Sequence, residues 1–590
     1  MVVPLVVMAL GAAACGSSGS TTAGGTTQST DTANAVKGGV LNMLGAGDVD
    51  YMDPNVSYYS VGYMGLRPWS RQLYTYPADP KTSTTSVPDL ADGPVKTSAD
   101  GKTVTVTLRD GAMWNSTPAR AVTAADEVRG IKRTCNPVQP FGGIPDYNDL
   151  IEGYASFCAA FAKVAPTVPA IKAYIDGHEI SGLKATDDKT IVFTLSHAAS
   201  YFQDLLTLPA FSPAPVEYLD ALPGPKFADN LKTMLSDGPY YVASYSATKA
   251  IDYKRNPAWK ASSDPIRKAY VDEIKVDETV SQESTQQQLE TGSPSADMEF
   301  DNFPPATQIP GLVAKKDPNL NLGVTASSNP YLVFNTVSTN SGSAMKNLKF
   351  RQALEYGIDR KSLVQVLGGP AQNTPLSHVL PANIVGGEKN FDLYPYDLAK
   401  AKAMLQASGM AGATVKILYR NASQGSTKVF ATTQQQLTKL GLKVEGVASP
   451  NADFYTKYLE VPTVAQRGVW DIAVAGWGAD WYGNAALSFF GPLFSGQPSF
   501  PPIGSNFGFY SSDATNTLIT KATNATTVSE AGKDWAAADQ QVMKDAAFFP
   551  ITQPKQPNYH ASQVHNAIYV PAIQNFDPTN VWLSKDKQGG

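Results

Sequence analysis

Histidine and cysteine are scarce in this chain: 5 His and 3 Cys stand among 590 residues. The histidines (His178, His197, His378, His560 and His565) are scattered, with no H-E-x-x-H and no Cys/His zinc spacing, so no metal ligand set is legible. Charge is thin as well. Charged residues are 17%, below the ~25% usual in soluble domains, and the net charge is −5. Such a balance gives no electrostatic reason to expect nucleic-acid binding. There is no G-x-x-x-x-G-K-[ST] phosphate loop and no G-x-S-x-G nucleophile elbow. No apolar run approaches the ~18 residues that mark a membrane-spanning helix. Asp48, Asp50 and Asp53 fail as a calcium loop, because Met52 stands where an acid or amide is required and Asp53 where Gly is; they read as a turn or solvated loop. The 52 Asp+Glu leave carboxylate pairing open, since sequence does not measure separation.

What is present points another way. Hydrophobic residues are 43% and aromatics 10%, with 27 Tyr. The chain can bury real cores, and its length predicts about four structural units. Many rings with few charges, and little His or Cys, lean toward a binding protein outside the cytoplasm.

Val2 to Leu10 is a short apolar run, followed by Gly11-Ala12-Ala13-Ala14 and Cys15. This matches the apolar region and small-residue cleavage site of a secretory signal. Cysteine at that point resembles the lipobox of bacterial lipoproteins, although no Lys or Arg precedes the apolar run. The reading is a lipoprotein signal at 1–14, lipidation at Cys15 and a flexible Gly/Ser/Thr-rich tether at 15–36. An ordinary soluble secretion signal is the alternative. Cys135 and Cys158 remain; in an exported protein such a pair reads as a disulfide.

Clean alternation marks strands at Thr103–Leu108, Thr190–Ser196, Val415–Tyr419 and Asp471–Ala475. Helices are expected over Leu398–Ser408, capped by Asp397 and stopped by Gly409, over Thr432–Leu440 before Gly441, and over Phe350–Leu367. Thr291–Gln308 reads as a crossing between units or a surface loop. Mixed helices and strands over this length imply an α/β protein with open sheets.

An ordered series of segments carries a resemblance. It runs through Gly38-Gly39-Val40-Leu41, Asp53-Pro54, Val87-Pro88-Asp89-Leu90-Ala91, Leu108-Arg109-Asp110-Gly111 and Val122-Thr123-Ala124-Ala125-Asp126. It continues with Gly238-Pro239-Tyr240-Tyr241, Arg255-Asn256-Pro257, Phe334-Asn335, Arg351-Gln352-Ala353-Leu354, Ile358-Asp359-Arg360 and Gly476-Trp477-Gly478-Ala479-Asp480. In this order they resemble the family 5 extracellular solute-binding proteins, the oligopeptide- and dipeptide-binding components of ABC importers. Most of these residues read as scaffold, with Arg351 and Asp359 as ion-pair or capping groups. The resemblance implies a two-lobe periplasmic-binding-protein clamp of type II, with an extra domain inserted in the first lobe. Its expected divisions are domain I at 37–74, 206–330 and 554–590, inserted domain II at 75–205, and domain III, the second lobe, at 331–553. Crossings near Tyr331 and near residue 553 would form the hinge.

The richest candidate site is Trp477-Gly478-Ala479-Asp480-Trp481-Tyr482, at the end of an apolar strand, where ligands of open α/β folds commonly bind. The resemblance implies that Asp480 anchors a peptide's α-amino group and that Trp477 lines the cleft. Trp481 and Tyr482 would pack a ligand side chain. The segment after Asp480 lacks the Asp-Pro often found in the family, which bears on the substrate class. Tyr58, Tyr59 and Tyr63 stand where the first lobe would meet ligand, with plain packing as the alternative. Arg420 is a candidate partner for a ligand carboxylate, or a solvated arginine.

The expectation is therefore a non-enzyme without cofactor or metal: a monomeric lipoprotein, anchored through Cys15 on the outer face of the membrane. It would capture peptides and pass them to ABC permease and ATPase subunits. Two alternatives stand beside it. One keeps the fold and changes the ligand to an oligosaccharide, nickel or another small molecule. The other is a secreted, lipid-anchored hydrolase.

Overall fold

The computed structural model describes residues 28, 30–143, 149–450, 453–502 and 504–585. The apolar run, Cys15 and the first part of the expected tether lie outside the described residues. Gln28 and Asp31 lie against the body. The Gln28 amide donates to the Ala567 carbonyl and accepts from the Tyr569 N–H, and Trp582 Nε1 donates to the Asp31 carbonyl at 2.6 Å.

Three sheets organise the chain. The first holds Tyr240–Ser246, Ala250–Arg255, Glu273–Asp277, Val40–Leu44 and Met298–Glu299, in that spatial order. Val40–Leu44 runs parallel to both of its neighbours and lies inside the sheet. The second is antiparallel and holds Lys96–Thr97, Thr103–Thr107, Thr190–Thr194 and Leu183–Ala185. The alternation read in the sequence works here directly: Val104 faces Phe193 and Val106 faces Ile191, all four buried. Each such side chain contributes roughly 1.5–3 kcal/mol by leaving water.

The third sheet holds Lys443–Ser449, Thr414–Arg420, Ile472–Gly478, Ser327–Phe334 and Phe548–Pro550. Thr414–Arg420 is parallel to both Lys443–Ser449 and Ile472–Gly478, so the C-terminal ends of these three strands share one edge of the sheet. Between the sheets, Leu320–Val324 pairs antiparallel with Thr552–Tyr559, which also pairs with Asn373–Pro375. The strands that precede and follow the third sheet in sequence are thus bonded to one another. The fold is the α/β two-lobe clamp, with the antiparallel unit inserted into the first lobe.

Helix ends follow local chemistry. Leu398–Ser408 begins where the Asp397 carboxylate accepts the Lys400 N–H and ends at Gly409 in the left-handed region. The helix expected from Thr432 starts earlier and spans Gln424–Leu440, because Ser423 caps it through the Ser426 N–H. The expected single helix Phe350–Leu367 is two, Leu348–Gly357 and Arg360–Val366. Ile358 and Asp359 are extended, and the Asp359 carboxylate caps the second helix through the Lys361 N–H. The stretch Thr291–Gln308 contains the end of helix Gln282–Thr291 and the short strand Met298–Glu299.

The segments that carry the resemblance are mostly structural. Asp89 is ion-paired to both Arg71 and Arg267 at 2.8 Å, with all three side chains buried. Asp53 pairs with Arg133 at 2.6 Å in the same way. Asp126 closes a capping box with Thr123 and accepts from Trp114 Nε1. Arg351 binds the carbonyls of Ala546, Met345 and Asp545. A disulfide joins Cys135, just beyond helix Ala124–Arg133, to Cys158 in helix Tyr154–Phe161, with Cα atoms 5.4 Å apart.

Candidate functional site

Asp480 stands two residues beyond the strand Ile472–Gly478, at the sheet edge facing the first lobe. Its position is set by main-chain and hydroxyl partners beside the strand. Ala479 N–H donates to the Ala326 carbonyl, and Asp480 N–H to Ser488 Oγ at 3.4 Å. Trp477 Nε1 donates to the Ser488 carbonyl at 2.7 Å, which fixes the indole beside the same loop. Trp477 and Asp480 are both half-buried.

The first lobe meets Asp480 with tyrosines. Tyr58 hydroxyl donates to Asp480 Oδ1 at 2.8 Å. Tyr58 is itself held on two sides. The Asp50 carboxylate accepts the Tyr58 N–H at 2.6 Å, the Ser57 hydroxyl at 2.7 Å and the Tyr59 N–H at 3.2 Å. The Tyr58 ring meets Phe141 of the inserted unit edge-on, with centroids 5.3 Å apart. Helix Ser60–Leu66 follows this turn, and a Cβ at Gly62 would displace the Asp50 carboxylate and Ser57 Oγ. Tyr63, one turn along, has its phenol pushed well above the ordinary value, first by burial and then by the charges of Asp480 and Asp50. Tyr59, in contrast, is 65% exposed.

The residues after Asp480 turn into the contact between the lobes. Trp481 is 2% exposed and stacks on Tyr201 of the first lobe. Tyr482 is 6% exposed, and its hydroxyl donates to the Pro571 carbonyl. Tyr76 hydroxyl accepts the Tyr482 N–H at 2.8 Å and donates to the Tyr482 carbonyl at 3.1 Å. Asn484 N–H donates to Asp204 Oδ2 at 3.0 Å, and its amide to Ser200 Oγ. Burial raises the Asp204 carboxyl, against the hydrogen bonds of Ser86 and Asn484 that lower it. Gly483 sits at φ 81° with Asp204 beside it, a conformation and a closeness that favour glycine.

Arg420 ends the neighbouring parallel strand, at the same sheet edge as Trp477. Its guanidinium lies over the Phe454 ring at 5.1 Å. The structure thus brings Trp477, Asp480, Tyr58 and Tyr63 to one place, while Trp481 and Tyr482 face protein and Tyr59 faces solvent. Asp50, Tyr76, Asp204 and Ser488 escaped the reading of the sequence. Asp50 was visible only as one acid of a turn. Tyr76 and Asp204 meet partners 406 and 280 residues away, which no local pattern reports.

Among the described residues no three His, Cys, Asp or Glu side chains are grouped to hold a metal ion. No described helix is long and apolar enough to cross a membrane. A groove of 690 Å³ lies on the inserted unit beside helix Ala124–Arg133 and strand Leu183–Ala185, and shares none of the residues around Asp480.

The three sheets, the pairing of Leu320–Val324 with Thr552–Tyr559 and the contact at Asp480 are those of a two-lobe clamp. Residues 85–500 match the model of bacterial extracellular solute-binding proteins, family 5, and the chain belongs to that family. It is a solute-binding protein of the ABC-importer type and not an enzyme. Heme-binding protein A of Haemophilus influenzae is 23% identical over 82% of this chain and 82% of its own length. Glutathione-binding protein GsiB of Salmonella choleraesuis is 26% identical over 67% of this chain and 72% of its own length. The solved structure of clavulanic acid biosynthesis oligopeptide binding protein 2 superposes with a TM-score of 0.79 at 22% identity, covering 93% of this chain and 96% of that one.

Proposed function

We propose that this protein captures peptides between its lobes and delivers them to a membrane permease, with Asp480 accepting the ligand's α-ammonium. One observation carries the reading: a carboxylate at a strand end stands where both lobes meet, bonded to Tyr58 and beside Tyr63. Low dielectric around an ion pair strengthens it, so a half-buried carboxylate among rings suits a ligand cation. Trp477 forms a wall, and Arg420 at the same edge is the group for a ligand carboxylate. Relatives named for oligopeptide and glutathione support a peptide; the relative named for heme makes heme the arm to test against it. The body is a monomer on the outer face of the membrane, held by lipid at Cys15. The divisions at 331 and 553 mark where the second lobe begins and ends.

A thermal-stabilisation panel tests this with short peptides, glutathione, heme and oligosaccharides. A ligand at about one hundred times its dissociation constant adds roughly 2.7 kcal/mol. Free-amino peptides are expected to raise the melting temperature. Stabilisation by heme or sugars with none by any peptide would refute the peptide reading.

A further inference from the structure

We infer that Tyr58 is a latch that competes with the ligand's ammonium for Asp480, so that its hydroxyl sets both the resting opening of the clamp and its selectivity for cations. The inference rests on the reading of Asp480 as the ammonium site only for its second half; the latch itself rests on geometry. The bond joins two separately built supports. On one side Asp50 fixes the Tyr58 N–H at 2.6 Å, and Phe141 meets the ring edge-on. Gly142 leaves just enough room, since a Cβ there would stand 3.1 Å from Tyr58 Cδ1. On the other side Ser488 Oγ accepts the Asp480 N–H at 3.4 Å, and its carbonyl accepts Trp477 Nε1 at 2.7 Å. A phenol and a carboxylate each held from behind meet at 2.8 Å across the lobes.

The other contacts between the lobes at this edge differ in kind. Trp481, Tyr482 and Asn484 are 2%, 6% and 2% exposed; Trp481 stacks on Tyr201, and Tyr482 and Asn484 bond groups of the first lobe. Such a dry contact leaves no room for a solute. Asp480 and Tyr58 are half-buried as residues while Asp480 Oδ2 itself is buried, so a solute reaches their bond only as the lobes part. A neutral phenol donating to a carboxylate stabilises closure, yet an ammonium with three donors and a full charge replaces it with gain. A ligand lacking a cation does not repay the loss of that bond. The latch thereby discriminates against neutral solutes.

Tyr58→Phe keeps the ring against Phe141 and removes the hydroxyl. Lobe separation is read by small-angle scattering, and by energy transfer between dyes placed one on each lobe, with no peptide added. Titration calorimetry then uses a free-amino peptide and its N-acetylated twin. The variant is expected to rest more open, and to bind the free-amino peptide about fivefold more tightly or more, as expected on removing a competing bond to a charged group. The acetylated twin should gain less than half of that. Unchanged lobe separation overturns the latch whatever the ligand. An opened clamp that binds free-amino peptide more weakly makes Tyr58 a ligand contact and overturns the competition. If neither protein distinguishes the two peptides, the ammonium reading of Asp480 fails, and the scattering result still decides the latch.

Discussion

Replacing Arg133 with methionine removes the cation at the centre of the first lobe. The Arg133 guanidinium pairs with Asp53 at 2.6 Å, donates to Asn55 Oδ1 at 3.0 Å and to the Tyr218 carbonyl at 3.2 Å. It also lies between the Tyr218 and Phe227 rings, at 5.5 and 5.4 Å from their centroids. Neither Arg133 nor Asp53 has exposed surface. Without the arginine, Asp53 keeps the N–H groups of Asn55 and Gly224, each at 3.2 Å, and no opposite charge. Breaking a buried pair in this way costs about 3–5 kcal/mol. At about 2–4 °C per kcal/mol for a unit of 150–250 residues, the transition containing the first lobe should fall by roughly 6–20 °C. Adding Asp53→Asn removes the stranded charge, so the double variant should be less destabilised than the sum of the singles by about 2 kcal/mol. Scanning calorimetry is the assay, because a chain of several units does not unfold in one two-state step. A fall corresponding to less than about 1 kcal/mol in Arg133→Met, or strictly additive singles, would refute the pairing argument. The same pair bears on the site, since Asp53 and Asn55 start the turn that ends in Tyr58.

Further outcomes follow from single contacts. Burial depresses the His378 imidazole, but the hydrogen bond and charge of Asp539 outweigh it, and the group titrates above its ordinary value of 6.5. A group raised on folding stabilises fully below its unfolded value and loses that contribution as pH rises through the folded one. Stability should therefore decline above pH 6.5 in the wild type, and His378→Gln should flatten that slope in pH-dependent melts; an equal slope in both would sink the assignment. Reduction of Cys135–Cys158, or Cys158→Ser, should lower the transition of the inserted unit by about 3.5 kcal/mol, the chain-entropy value for a loop of about 24 residues. A calorimetric trace unmoved by dithiothreitol would contradict it.

The strands were legible because one face is wet: Thr103–Thr107 and Thr190–Thr194 alternate, and they pair Val104 with Phe193 as that pattern requires. Helix ends were legible where a side chain and a glycine mark them, as at Asp397 and Gly409. The break at Ile358–Asp359 was hidden by continuous apolar periodicity, and only the Asp359 cap explains it. Asp480 was singled out by its place after an apolar strand and, mainly, by the resemblance carried by Gly476-Trp477-x-x-Asp480. Its neighbours Trp481 and Tyr482 carry the same aromatic signal, yet pack on Tyr201 and beneath Pro571, because tertiary contact rather than residue type decides whether a ring meets ligand or protein. The low charge and many rings of the sequence now have a location. Tyr58, Tyr63, Trp477 and Phe141 gather near one carboxylate, where few charges act over short distances.

The central claim is that Asp480 holds a ligand's ammonium, and calorimetric titration of one stabilising peptide against its N-acetylated form, with wild type and Asp480→Asn, tests it most directly. The wild type should prefer the free amine by about tenfold or more, the 1.5–3 kcal/mol of a charged hydrogen bond, and Asp480→Asn should bind both forms alike. Equal affinities in the wild type, or a preference that survives in Asp480→Asn, would contradict it.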